Sequence, residues 1–225
     1  MKTRERGSAT GASASATTEN GPRPTRELIL DIAERLIATR GVAGVALQDV
    51  AEPLGVRVPA IYKHYASRDD VLVEVARRFI NQLSGQFTYP ESGLETPTRT
   101  LQESVNSFTE FHLGTPAYVR LSLTDFATPA GGSEYVRQAA GGAFRDNLTQ
   151  GPLAPMHERL RRLIAAGIKR GEFRRVASLD FYRVIKSSLL IRLVYPDDLL
   201  VREVTAAERR EVKKYLWDIA SRYIA

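Results

Sequence analysis

A chain of 225 residues, 43% of them hydrophobic, is long enough to bury one substantial core and to carry a small second domain beside it. Its net charge of +6 and pI near 9.7 suit a phosphate-rich partner, although many proteins that bind no nucleic acid are as basic. The absence of cysteine excludes thiolate catalysis, disulfide scaffolds and cysteine-based metal sites and fits the reducing cytoplasm. No run approaches the roughly 18 apolar residues of a membrane span, and the N-terminus lacks the apolar centre of a signal peptide. A soluble intracellular protein without membrane contact is expected.

Residues 1–24, "MKTRERGSATGASASATTENGPRP", hold almost nothing apolar, so ordering them would cost entropy without compensating burial, and a disordered arm is predicted. Lys2, Arg4, Arg6 and Arg23 either stay solvated or lie along a nucleic-acid backbone. From Thr25, apolar residues at Leu28, Ile29, Ile32, Ala33, Leu36 and Ile37 follow the spacing of an amphipathic helix, which Gly41 stops. Leu47, Val50, Ala51 and Leu54 predict a second, shorter helix ended by Gly55, whose tolerance of positive φ turns the chain. A third helix is predicted from about Val58 to His64, with Leu54, Val56 and Ile61 filling the core between the two. Ser67 is a good N-cap for a fourth, with Asp69 and Asp70 in its first turn. That helix carries Val71, Leu72, Val75 and Phe79 inward and is expected to reach the Tyr89-Pro90 region.

After the Pro- and Thr-rich "TYPESGLETPTRT" the pattern stays helical, over roughly 98–113, 117–127, 133–148, 153–171, 178–194 and 206–224, with breaks at "PAGG", "QGP", "RGEF" and "YPDD". No period-two alternation intervenes, so an all-α fold of nine or ten helices is predicted, with Gly141 and Gly142 interrupting the region 128–152.

Two short helices joined by a glycine turn serve either as an ordinary helical hairpin or as a DNA reader. In the reader, the first helix braces the second so that its N-terminal end enters a major groove about 12 Å wide. The segment from Thr25 to about Arg78 resembles the N-terminal domain of the TetR family of transcriptional repressors. The resemblance is carried by Ile29 and Ala33, "RGVAG", "DVAEPLGV" for the brace, "PAIYKHY" for the reader and "SRDDVL" opening helix four, in gapless order. It covers about a quarter of the chain, and "RLIAAGIKRGEFR" is similar to the penultimate stretch of many members.

The resemblance implies a three-helix helix-turn-helix domain over 25–70, joined by a linking helix to a larger helical effector-binding and dimerisation domain over 71–225. It places Val58, Pro59 and Ala60 at base edges, Tyr62, Lys63 and His64 at phosphates or the groove wall, and Arg68 at a phosphate beside the start of helix four. The chemistry fits: Val58 and Ala60 can touch a thymine methyl, Pro59 suits a first helical turn, and Lys63 and Tyr62 can donate to phosphate oxygens. Alternatives stand beside these roles, with the Tyr62 ring packed on helix one, His64 bonded to a carbonyl, or Lys63 merely solvated. Val58 and Ala60 offer a base no hydrogen bond, so base preference leans on Gln48, Arg57 or DNA shape. Three residues depart from the family pattern. Ala46 stands where Thr or Ser often caps the brace, a loss of roughly 1 kcal/mol. Arg57 stands where a small hydroxyl residue often caps the reader, and Pro53 should shorten or kink the brace helix.

For a homodimer interface, the apolar stripes of 178–194 (Phe181, Val184, Ile185, Leu189, Leu190, Leu193) and 206–224 (Val212, Tyr215, Leu216, Ile219, Tyr223, Ile224) could form a twofold four-helix contact; the alternative is packing within one chain. For an effector, Phe108, Phe111, His112, Tyr118, Phe126, Tyr135 and Phe144 give the central helices an aromatic interior, with Asp125 and His112 as its polar points. Such a lining suits an apolar or aromatic molecule, or a plain core. The three histidines, His64, His112 and His157, share no metal-ligand spacing, and there is no phosphate-binding glycine loop or nucleophile elbow; an acid–base pair of Asp125 with His112 is the remaining enzymatic option. The expectation is a cytoplasmic homodimeric regulator, without cofactor or metal and not an enzyme, that represses transcription at a palindromic double-stranded DNA operator and is released by a small-molecule effector. An architectural DNA-binding protein without a ligand is the alternative.

Overall fold

Ten α-helices and two short 3-10 turns account for the regular structure of the described residues. The computed structural model describes residues 25–126, 134–141 and 148–225, the side chains of Asp125 and Phe126 apart, so the predicted disordered arm and Phe144 lie outside the described residues. In chain order the helices are α1 Thr25–Arg40, α2 Leu47–Ala51, α3 Val58–Ile61, α4 Arg68–Ser84, α5 Pro97–Gly114, α6 Pro116–Phe126, α7 Glu134–Ala140, α8 Ala154–Lys169, α9 Ser178–Val194 and α10 Ala206–Ile224.

Local chemistry sets these boundaries. Pro53 diverts the brace after Ala51 into the 3-10 turn Glu52–Leu54, and Gly55 ends that turn at φ 65°, a left-handed conformation that costs a side-chain-bearing residue energy. Ser67 caps α4, its hydroxyl accepting the Asp70 N–H at 3.0 Å. Thr205 and Glu208 cap α10 reciprocally: the Thr205 hydroxyl accepts the Glu208 N–H at 3.3 Å, and the Thr205 N–H donates to the Glu208 carboxylate at 2.9 Å.

Two predicted helices end early. The fourth is expected to reach Tyr89-Pro90 but stops at Ser84, where Gly85 forms the C-cap. The helix expected over 133–148 breaks at Gly141, which has φ 79°, so α7 closes at Ala140. By contrast α9 and α10 occupy the predicted ranges.

Helix α5 lies at the centre, packed against α6, α8 and α10, while α4 packs against α1, α6, α7 and α8 and so joins the N-terminal helices to the rest. One buried cluster runs through both parts. Ile29, Ala33 and Ile37 of α1, Val50, Ile61, Val71 and Phe79 continue into Leu101, Val105 and Phe108 of α5, Leu160 and Leu163 of α8, and Val212 and Leu216 of α10. Each such Leu, Ile or Phe buried in full contributes about 1.5–3 kcal/mol, far more than the exposed ion pairs around it. Among the described residues no helix is long and apolar enough to cross a membrane.

Close approach matters at Gly167 of α8, where an added Cβ would lie 2.0 Å from the Phe173 ring, itself buried. Gly167→Ala would gain about 1 kcal/mol of helix propensity but force Phe173 out of place at a cost of about 1–3 kcal/mol. A lowered thermal midpoint is expected, and an unchanged or raised one would show that the ring can move aside freely.

Candidate functional site

The reader helix is a single turn. Arg57 precedes it in an extended conformation (φ −93°, ψ 155°) and makes no cap, Pro59 occupies its first turn, and regular helix ends at Ile61, three residues before the predicted His64. The chain continues in turns, held by the His64 and Tyr65 N–H groups donating to the Ile61 carbonyl at 2.9 and 3.1 Å. Ala46 likewise leaves the brace uncapped in an extended conformation.

Burial sorts these residues by role. Ile61 and Tyr65 turn inward, at 0% and 4% exposure. The Tyr65 hydroxyl donates to the Arg26 carbonyl at 3.2 Å, and the Arg26 guanidinium sits 4.9 Å from the Tyr65 ring centre. The place against α1 considered for Tyr62 thus belongs to Tyr65, and Tyr62 is 52% exposed. Gln48, Arg57, Pro59, Lys63 and His64 are exposed, and Val58 and Ala60 half-buried. Val56, expected between the helices, is exposed as well, because the turn after Gly55 carries it outward.

Arg68 is half-buried and turned inward: Nε donates to the Val45 carbonyl at 2.6 Å, Nη2 to the Val42 carbonyl at 2.5 Å, and Nη1 meets Asp69 at 3.2 Å and the Tyr135 hydroxyl at 3.4 Å. It ties the start of α4 to the loop between α1 and α2. Tyr135 also donates to Asp69 at 3.1 Å, so it lies at the N-terminus of α4 rather than in the aromatic interior where the sequence suggested it.

Two further arginines, which the sequence did not single out, join elements. Arg78 of α4 reaches Asp31 at 2.7 Å, Glu34 at 3.2 Å and Glu27, all on α1. Arg120 of α6 donates to the Ala38 carbonyl at the end of α1 at 2.8 Å and to Asp198 at 2.8 Å. The spacing of the three acidic residues on one face of α1 hinted at the first; nothing local announced the second.

The interior holds a polar cluster inside an aromatic shell. Phe108 and His112, one turn apart on α5, are fully buried with ring centres 4.3 Å apart; Phe111 is half-buried beside them. His112 Nδ1 lies 2.8 Å from the Phe108 carbonyl, and its ring centre lies 5.5 Å from that of Tyr118. The Tyr118 hydroxyl accepts from Lys186 Nζ at 3.1 Å, and Lys186 is 8% exposed. Burial, with the Lys186 charge adding to it, pushes the His112 pKa down to about 3. Lys186 was missed, though its place on the stripe of Tyr182, Ile185 and Leu189 marks it for the interior. The side chains of Asp125 and Phe126 lie outside the described residues.

Helices α9 and α10 turn most of their predicted stripes inward: Phe181, Ile185, Leu189, Leu190, Leu193, Val212, Leu216 and Ile224 are buried within the one chain. Ile191 and Tyr215 remain outward, at 55% and 38% exposure.

Residues 29–75 match the sequence profile of bacterial regulatory proteins, tetR family. Over 91 residues the chain is 28% identical to the transcriptional repressor KstR2 of Mycolicibacterium smegmatis, covering 40% of this chain and 43% of that one. Over 58 residues it is 36% identical to the transcriptional regulator AcrR of Shigella flexneri, covering 26% and 27%. The alignments thus span less than half of either curated relative. The fold matches the solved structure of the ketosteroid transcriptional regulator KstR2 of Mycobacterium tuberculosis with a TM-score of 0.64 at 18% identity, over 91% of this chain and 97% of that one. Brace, glycine turn and reader thus fall within the segment that matches the tetR-family profile, and the chain shares its all-helical fold with a solved transcriptional regulator.

Proposed function

We propose that the protein is a cytoplasmic transcriptional repressor that binds a palindromic operator as a homodimer and is released from it by a small apolar or aromatic effector. The observation that carries this reading is the outward face of the reader. Arg57, Pro59, Tyr62, Lys63 and His64 stand exposed on and beside a turn whose inner side, Ile61 and Tyr65, is buried, with Tyr65 bonded to Arg26 of α1, and Gln48 stands exposed on α2. Val58, Pro59 and Ala60 would meet base edges, with Gln48 and Arg57 adding hydrogen-bond donors. Tyr62, Lys63 and His64 would meet phosphates or the groove wall. Arg68 is better suited to positioning the reader than to a phosphate, because its donors are taken up by Val42 and Val45.

Release requires a route from effector to reader, and α6 offers one. It carries Tyr118 into the polar interior with Phe108, Phe111 and His112, and on its other side Arg120 holds the last turn of α1. A ligand that displaces α6 would act directly on α1, to which Tyr65 is bonded.

Selection of bound sequences from a random duplex pool should enrich a palindrome with half-sites about 34 Å apart or a multiple of that. No enrichment by folded protein would favour architectural binding instead. Lys63→Ala should weaken operator and random DNA alike and reduce the salt slope by about one, whereas Gln48 and Ala60 substitutions should change the preferred sequence. Unaltered binding by Lys63→Ala would remove its phosphate role.

The dimer interface proposed here uses the outward side of α9 and α10, where Ile191 and Tyr215 are exposed. Ile191→Asp, which touches no part of the buried core, should convert a dimer to a folded monomer in sedimentation; a dimer that persists would place the interface elsewhere.

A further inference from the structure

Two polar atoms in the interior have no partner among the described residues: Nε2 of His112 and Oγ of Ser122, both on side chains that are essentially inaccessible, at 0% and 2% exposure. They sit on consecutive helices, α5 and α6, and Ser122 lies one turn beyond Tyr118, whose ring centre is 5.5 Å from that of His112. An unbonded polar atom in such a place destabilises the fold, so a group that supplies its missing bond is favoured over one that does not.

The chemistry of the missing bond follows from the His112 ring. Its Nδ1 lies 2.8 Å from a carbonyl oxygen, which can only accept, so Nδ1 carries the proton and donates. The ring is neutral, because burial and the neighbouring Lys186 both oppose a second proton. Nε2 is therefore a bare lone pair that needs a donor. Ser122 can donate or accept, and Tyr118, whose oxygen accepts from Lys186, keeps its own proton to give. A hydroxyl group satisfies this set, donating to Nε2 and accepting from a neighbouring hydroxyl. A ketone, an ether or a carboxylate offers Nε2 only another lone pair.

We infer that His112 Nε2 is the acceptor for a hydroxyl group on the effector, so that this site selects alcohols or phenols with an apolar aromatic body over their ethers. The regulatory consequence rests on the function proposed above, but the binding does not, and the two can fail separately.

The test uses the full-length protein and two matched pairs of probes of different size, 2-naphthol with 2-methoxynaphthalene and 4-phenylphenol with 4-methoxybiphenyl, titrated by calorimetry. At least one phenol should bind on the order of ten- to a hundredfold more tightly than its methyl ether, and His112→Phe should bring the two members of that pair together. Without any substitution, the nitrogen resonance of His112 Nε2, one of three histidines in the chain, should shift on adding the phenol and not the ether. Equal binding of phenol and ether, a preference that survives His112→Phe, an unmoved Nε2 resonance or binding of neither pair would each overturn the inference. Operator retention is measured on the same samples. Protein that binds DNA but shows no phenol preference refutes the hydroxyl site alone, while phenol selectivity in protein that binds no specific DNA refutes the regulatory function alone.

Discussion

The reader is a helix of four residues, and no helix that short holds itself together in water, since nucleation fixes several residues for one hydrogen bond. Its geometry depends on Ile61 and Tyr65, which are buried on one side of the turn, Tyr65 bonding to Arg26 of α1, and leave the other side facing outward. Arg68 adds to this from below, bonding the carbonyls of Val42 and Val45 and so fixing the α1–α2 loop relative to α4. The residues proposed to meet DNA contribute almost nothing to this anchoring. Arg57, exposed and making no cap, can therefore stand before the reader without loss of the turn.

Much of this arrangement is legible in the sequence because it follows from local rules. Gly55 is needed where φ is positive, Pro53 interrupts a ladder of N–H donors, Ser67 caps, and the apolar spacing of 178–194 and 206–224 gives both helices their ends. The signals that failed are those in which two local rules compete. The periodicity through Tyr62–His64 is helical, but the chain there is set by the depth at which Ile61 and Tyr65 must sit, and regular helix gives way to turns.

Side chains that act over long sequence distances were the least legible. Arg68, Arg78 and Arg120 look alike in the sequence, and only the fold assigns them, respectively, to backbone carbonyls 23 and 26 residues away, to three carboxylates on α1, and to the end of α1 together with Asp198. Tyr135 and Tyr118 were similarly equivalent as aromatic residues of the central helices, yet one lies at the entrance of α4 and the other inside. Aromatic content predicts burial of area, not which element the ring will meet.

The interior raises a question that stability alone does not answer. A core of Phe, Leu and Ile around α5 would hold these helices without His112, Ser122 and Lys186, and each buried polar group lacking full compensation weakens the fold. Removing them would also make the inner face of α6 uniform, so that no arrangement of α5 and α6 would be preferred by a polar ligand over any other. A ligand that bonds the bare nitrogen of His112, whose ring centre lies 5.5 Å from that of Tyr118, would make the separation of the two helices depend on its presence. Arg120, bonded to Ala38 from the same helix, would carry such a displacement to the end of α1. An incompletely satisfied core and a responsive reader are on this reading one property, because the bond withheld from the free protein is the one available to a ligand for shifting the equilibrium.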